Sequence, residues 1–237
     1  MNKKKYILLA KKAAEVQIRE IKKIKKVFNN SFIQAVDAII NCKGKVILAG
    51  VGKSGLIARK ISATFSSVGI PSFFCDPAQA LHGDMGQIEK KDILIIFSYS
   101  GNTLELTNML KYANRYRIKI IGVASKPESI LLKASDIKLI LPNVKEADLN
   151  GIVPTSSTSL TLILGDSLAT TVMHQKRFSK EKFKIFHPGG NLGKSLLLAK
   201  DIMVSGKKMP VINYKKNFKQ ALKIMNQKKL GIIVLTK

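Results

Sequence analysis

Hydroxyl and glycine residues recur together in this chain at two places where an apolar run ends, the first of them with a lysine. Gly50-Val51-Gly52-Lys53-Ser54-Gly55 follows Lys45-Val46-Ile47-Leu48-Ala49, and Ser98-Tyr99-Ser100-Gly101-Asn102-Thr103 follows Asp92-Ile93-Leu94-Ile95-Ile96-Phe97. Strand, tight loop and helix start together make an anion site, because free backbone N–H groups and the positive end of the helix dipole face the ligand. Glycines allow close backbone approach, and hydroxyls and a lysine add donors. The candidate binding residues are therefore Gly52, Lys53 and Ser54 in the first loop, with Ser98, Ser100, Gly101, Asn102 and Thr103 in the second. Capping a helix needs one hydroxyl, and the second loop has three. Two such loops in one domain point to a phosphorylated small molecule held between them.

Groups that could move protons are few. Glu105 lies just after the second loop, and Glu146 follows the fifth apolar run. Either could serve as a general base; the plainer reading of each is an exposed acid, with Glu105 complementing a helix dipole. There are three histidines. His82 sits in Ala80-Leu81-His82-Gly83-Asp84, His187 opens His187-Pro188-Gly189-Gly190, and His174 reads as a surface residue. Their spacing makes no metal site, and Cys42 and Cys75 show neither metal nor redox spacing. A hydroxyl run, Thr155-Ser156-Ser157-Thr158-Ser159, starts a long helical pattern; capping explains one or two hydroxyls and the rest suit a polyol.

Gly50-x-Gly52-x-x-Gly55 also fits the dinucleotide fingerprint, with Asp76 at the expected distance for a ribose. Lys53 inside the loop and the second hydroxyl loop argue against that reading. A Walker-type loop fails because position 47 is Ile47 rather than glycine.

The elements that must hold these loops are legible as alternating patterns. Strands are expected at 45–50, 71–75, 92–98, 118–124 and 136–141, with helices at 2–28, 31–40, 54–68, 102–115, 128–134 and 157–175. In the first helix the apolar positions are Ile7, Ala10, Ala14, Ile18, Ile21 and Ile24 or Val27. Ser31 is the expected cap of the second. Alternation of strand and helix predicts an α/β fold: a doubly wound, five-stranded parallel sheet flanked by helices. Ligands in such sheets lie at the carboxyl ends of the strands, where both loops fall. Residues 209–235 read as a further strand–helix–strand, too small to hold a core alone.

The formal charge of +26 invites a nucleic-acid reading, but five of the 41 basic residues are Arg and they are scattered, with no Trp in the chain. Base readout favours clustered Arg and aromatic partners, so no nucleic-acid partner is expected; a positive field would still steer anionic substrates. No apolar run approaches a membrane span, and a signal peptide is not expected because Lys11-Lys12 interrupts the first apolar stretch. A reduced, cytoplasmic protein is the expectation.

From about residue 30 onward the chain resembles the sugar isomerase (SIS) domain family, and within it the arabinose-5-phosphate isomerases. The likeness rests on Gly52-Lys53-Ser54-Gly55, Ala80-Leu81-His82-Gly83-Asp84, Ser98-Tyr99-Ser100-Gly101, Lys145-Glu146-Ala147, Pro154-Thr155-Ser156-Ser157-Thr158 and the stretch from His187 to Lys194. The resemblance implies a cofactor-free aldose–ketose isomerase, a homotetramer, that interconverts D-ribulose 5-phosphate and D-arabinose 5-phosphate and supplies 3-deoxy-D-manno-octulosonate for lipopolysaccharide or capsule synthesis. It places the family's catalytic residues on Lys53, Glu105, Glu146 and His187, and a substrate-contacting histidine on His82. Asp76 stands where family members often have a zinc-binding histidine. The implied organisation is a helical segment 1–42, an isomerase domain 43–200 and part of a CBS motif at 201–237. A non-catalytic sugar-phosphate sensor is the alternative within the family, and an NAD-binding oxidoreductase the alternative outside it. Titration calorimetry separates the last: NAD and NADP at millimolar concentration are expected to give no heat, and micromolar binding would restore the dinucleotide reading.

Overall fold

Five short apolar runs form one parallel sheet. The structure, a computed structural model, describes residues 3–187, 195 and 197–237. They fall into two compact units, Met1–His187 and Pro188–Lys237. In the first unit the strands are β1 (Val46–Gly50), β2 (Ser72–Cys75), β3 (Ile93–Phe97), β4 (Lys119–Ala124) and β5 (Ile137–Ile140), in the spatial order β2-β1-β3-β4-β5. Every pairing is parallel, and the register sets Gly50 beside Phe97, Phe97 beside Val123 and Ala124 beside Ile140. The carboxyl ends of the central strands are thus level.

Both central strands, β1 and β3, are buried along their whole length. That is why they read as unbroken apolar runs rather than alternating ones. Successive side chains serve opposite layers. Val46, Leu48, Ile95, Phe97 and Val123 pack under helices α2 (Asn30–Asn41), α3 (Gly52–Ser67) and α7 (Ser156–Gln175). Ile47, Ala49, Leu94, Ile96 and Ile120 pack under α5 (Thr107–Arg115) and the single turn α6 (Ile130–Lys133). In α7 the stripe Leu160, Leu164, Leu168 and Val172 repeats every four residues and is fully buried. Each such side chain contributes about 1.5–3 kcal/mol by leaving water.

The expected doubly wound α/β fold is what forms, and three local expectations are corrected. The cap of α2 is Asn29, whose Oδ1 accepts the Ser31 N–H at 2.9 Å; Ser31 already lies inside the helix. The helix after β3 starts late: Leu104–Leu106 is a 3-10 turn and α5 begins only at Thr107. The cause is local, since Gly101 has φ +69° and Thr103 is extended. The first helix, α1 (Lys4–Ile21), buries a different face from the apolar stripe. Ile7 and Ile18 are exposed, and its buried residue is Glu20. The apolar anchors come after it, at Ile24 and Val27 in a 3-10 stretch.

In the second unit β6 (Val211–Asn213) and β7 (Val234–Thr236) pair in parallel around the helix Phe218–Lys228, whose cap is Asn217. Among its described residues only Pro210 and Ile212 are buried. The sheet and both apolar layers lie before residue 188. A chain ending at Lys200 is therefore expected to keep the circular-dichroism spectrum and cooperative melt of the sheet; loss of the transition would make the last 37 residues part of its core.

Candidate functional site

The chain order reverses between β1 and β3: from β1 it runs outward to β2, and from β3 outward to β4 and β5. Loops leaving two neighbouring strands in opposite directions open a crevice at their carboxyl ends. A cavity of about 540 Å³ lies there, within the range of small-ligand sites. Its walls include Val51, Lys53 and Ser54 from the first loop, Tyr99 from the second, Asn143, Val144 and Glu146 from the stretch after β5, Ile152 and Pro154, and Ser157, Thr158 and Thr161 from α7.

Two helices begin at this cavity. Gly52, with φ +58°, turns the chain from Val51 into α3, so Lys53 and Ser54 occupy its first turn. Ser157 and Thr158 occupy the first turn of α7. Two positive dipole ends and the exposed Lys53 favour negative charge there.

Glu146 closes the opposite wall. Its Oε2 accepts the Thr155 N–H at 2.7 Å, the Thr155 hydroxyl at 2.9 Å and the Ser157 N–H at 3.3 Å. The carboxylate therefore caps α7. Partial burial pushes its pKa up, but the hydrogen bonds from Ser157 and Thr155 outweigh burial and hold it below the ordinary value of 4.5. The hydroxyl run serves mainly this construction. Thr155 also accepts the Ala147 N–H at 2.8 Å, Thr158 donates to the Thr155 carbonyl, and Ser159 donates to Gln17. Ser157 and Thr158 are the two that reach the cavity wall.

The stretch after β5 is irregular and held from outside. Tyr99 donates its hydroxyl to the Pro142 carbonyl at 3.2 Å and accepts the Val144 N–H at 3.0 Å. Glu20 accepts the Lys145 N–H at 3.1 Å, and Lys23 donates to the Asn143 carbonyl at 3.2 Å. The Glu20 carboxylate is buried beside Lys23 and Arg19, and the bond from Lys23 holds its pKa at about 2. Beyond Glu146, Asp148 accepts the N–H groups of Asn150, Ile152 and Val153, giving the rim a fixed turn. The bond from Ile152 is the largest cause of its lowered pKa.

The second loop is built differently from expectation. Ser98 is buried, shares a hydrogen bond of 2.8 Å with the Thr103 hydroxyl and accepts the Gly101 N–H. Asn102 accepts the Ile130 N–H, tying the loop to α6. Gly101 is needed twice over: its φ is +69°, and a Cβ there would run into Ser129. Ser100 is exposed and accepts the Asn102 N–H at 3.3 Å. Of these residues Tyr99 reaches the Lys53–Glu146 cavity wall; Ser98, Ser100, Gly101, Asn102 and Thr103 do not line it.

Three further candidates stand apart within one copy of the chain. Glu105 is exposed on the 3-10 turn, and His82 is exposed beyond the edge strand β2. His187 ends α8 (Lys180–Phe186), stacked 3.8 Å from the Phe183 ring with Nδ1 2.8 Å from the Phe183 carbonyl. Phe178 and Phe186 flank Gly69, which follows α3. That is the amino edge of the sheet, and the 16 residues of α3 set it about 24 Å from Lys53. The remainder of the His187 motif, 188–194, lies outside the described residues. Asp76 caps the short turn α4 (Pro77–Ala80) and lines a second cavity of about 540 Å³ with Arg59, Phe74 and Lys53, which lines both cavities. No group of three or more His, Cys, Asp or Glu could hold a metal ion among the described residues.

The SIS domain model matches residues 39–171, more than half of the chain. This chain belongs to the SIS domain family. Its relatives include an uncharacterized protein, RP505, of Rickettsia prowazekii, 39% identical over 236 residues, covering 100% of this chain and 74% of the relative. Another is arabinose 5-phosphate isomerase KdsD of Escherichia coli strain K12, 40% identical over 208 residues, covering 87% of this chain. The match spans 63% of that enzyme, less than two thirds of its length. Among solved structures, the c3406 protein of E. coli CFT073, in complex with arabinose 5-phosphate, superposes with a TM-score of 0.77 at 34% identity, covering 79% of this chain and 100% of that one. The parallel five-stranded SIS architecture agrees with the sequence expectation.

The cap at Glu146 has a measurable consequence. Because its folded pKa is lowered, its stabilisation is present above pH 4.5 and lost as pH falls through the folded value. Glu146→Ala is expected to lower stability by about 1–2 kcal/mol at pH 7. In urea melts that difference should shrink as pH falls below 4.5; a difference independent of pH would remove the charge from the cap.

Proposed function

We propose that this chain is a sugar-phosphate isomerase, an aldose–ketose isomerase acting on D-arabinose 5-phosphate and D-ribulose 5-phosphate. One observation carries this: Lys53 and Glu146 line the same cavity, where two helices begin. The identity to KdsD and the likeness to the solved complex with arabinose 5-phosphate support the choice of substrate.

The roles follow from charge and place. Isomerisation moves a proton between C1 and C2 through an enediolate. Glu146 is ionised at neutral pH, as a base must be. Its Oε2 is occupied by the α7 cap, which fixes the carboxylate against the cavity. Lys53 and the two helix starts stabilise the oxyanion that develops as the proton leaves. Ser54, Ser157 and Thr158 offer hydroxyls to the sugar. In this proposal Ser100, the Gly101–Thr103 stretch and Gly52 bind phosphate, while His82, Glu105 and His187 act in an assembly of several copies, which the resemblance implies is a tetramer. Exposed apolar residues on α1 (Tyr6, Ile7, Leu8, Ile18) and on the cavity rim (Leu149, Ile152, Val153) supply surface for such contacts. A cytoplasmic place, a CBS-type role for residues 201–237 and a supply of precursor for 3-deoxy-D-manno-octulosonate belong to the same proposal.

A ketopentose assay with arabinose 5-phosphate tests it. Wild type should turn over the phosphate ester and leave free arabinose essentially untouched. Glu146→Gln is expected to lower kcat by about 10²–10⁴-fold with little change in KM, because it removes the base and keeps the shape. Binding without turnover would make the chain a sensor. A larger kcat loss in Glu105→Gln than in Glu146→Gln would exchange the two roles.

A further inference from the structure

Glu20 is a buried carboxylate in a helix that contributes nothing to the sheet. Its side chain is 5% exposed, between Arg19 Nε at 3.2 Å and the Lys23 ammonium. Burying a carboxylate carries a desolvation cost that only well-placed partners offset. Two partners are local, Arg19 in α1 and Lys23 in the 3-10 stretch that follows it. The third is the Lys145 N–H, 125 residues away in sequence and directly before Glu146. Lys23 repeats the pattern on the Asn143 carbonyl, and Gln17, one turn earlier on the same helix face, accepts the Ser159 hydroxyl in α7 at 3.2 Å. Three side chains of one helical face thus bind the segment that carries Glu146 and the helix that Glu146 caps.

That segment has no regular hydrogen bonding of its own. From Pro142 to Lys145, directly before Glu146, its backbone is bonded by Tyr99 on one side and by Glu20 with Lys23 on the other. We infer that Glu20 and Lys23 are positioning residues for Glu146: a clamp from the end of α1 and the 3-10 stretch after it that fixes the Asn143–Lys145 backbone and so sets the carboxylate against the cavity. The chemical part of this rests on the isomerase reading of Glu146. The clamp itself does not, because it concerns the backbone.

Two sets of measurements test it. In activity, Glu20→Leu is expected to lower kcat about 10–100-fold with KM within about threefold, since small misplacement of a reacting group costs that much. The acid limb of the kcat profile should rise toward pH 4.5 as the bonds to Glu146 loosen. Glu20→Gln keeps an acceptor for Lys145 and should recover most of the loss. Lys23→Met, which leaves Glu20 in place, should show a smaller loss in the same sense and serves if Glu20→Leu does not fold. A fall in melting temperature with kcat and acid limb unchanged in Glu20→Leu and Lys23→Met would reduce the clamp to a stability device. Independently of activity, hydrogen exchange at the Lys145 amide should speed up at least tenfold in Glu20→Leu, or more modestly in Glu20→Gln, relative to amides in β3. Unchanged protection would overturn the clamp even in an active enzyme. If wild type shows no isomerase activity while Lys145 loses protection, the functional reading fails and the clamp stands.

Discussion

The parallel pairing of β1 with β3 sets everything else in the first unit. With Gly50 level with Phe97, the loops that follow both strands emerge at the same height and turn opposite ways. A slip of one residue would send Ile47, Ala49, Leu94 and Ile96 into the wrong layer, because side chains alternate between faces. The register is therefore enforced by two apolar layers at once. A polar crevice at one edge of the sheet is a by-product of packing its interior.

On that foundation, a single carboxylate joins local folding to chemistry. Glu146 satisfies the first turn of the 20-residue helix α7 and also faces the cavity. A carboxylate free in solution would be easier to protonate and harder to aim. Here the donors that terminate the helix keep it charged and still. Its geometry is inherited from α7, whose buried stripe anchors it to the sheet, and from the backbone between β5 and α7. That backbone has partners on two remote elements, the Tyr99 loop and α1. Displacement of either would reach Glu146 through a chain of named hydrogen bonds rather than through diffuse packing.

The strands and the cavity's two main charges were legible in the sequence because each rests on short-range pattern. Apolar runs bounded by Gly, Asp and Lys gave the strands to within a residue or two, and glycine with lysine after a strand marked the first loop. What was not legible depends on contacts between distant segments. Nothing near Glu20 announces that its partner is Lys145; alternating basic and apolar residues suggested instead that Ile18 faces inward. Tyr99 reads as a loop aromatic until its hydroxyl is seen between Pro142 and Val144. The hydroxyls of Ser98 and Thr103 read as ligand donors, and no local pattern announces that they also bond each other across the tight turn at Gly101. His187 lies too far along the chain from any strand for its place to follow from local pattern.

The turn held by Asp148 bears on how the crevice meets a ligand. Three backbone N–H groups from Asn150 to Val153 converge on one side chain, so this rim is already shaped although Leu149 and Ile152 stand in solvent. Ordering a flexible loop residue costs on the order of 1–2 kcal/mol of backbone entropy. For these residues that loss is incurred during folding, not at the encounter with substrate. In the proposed isomerisation, binding energy that would otherwise be consumed in freezing a lid remains available for distorting the sugar toward a planar enediol.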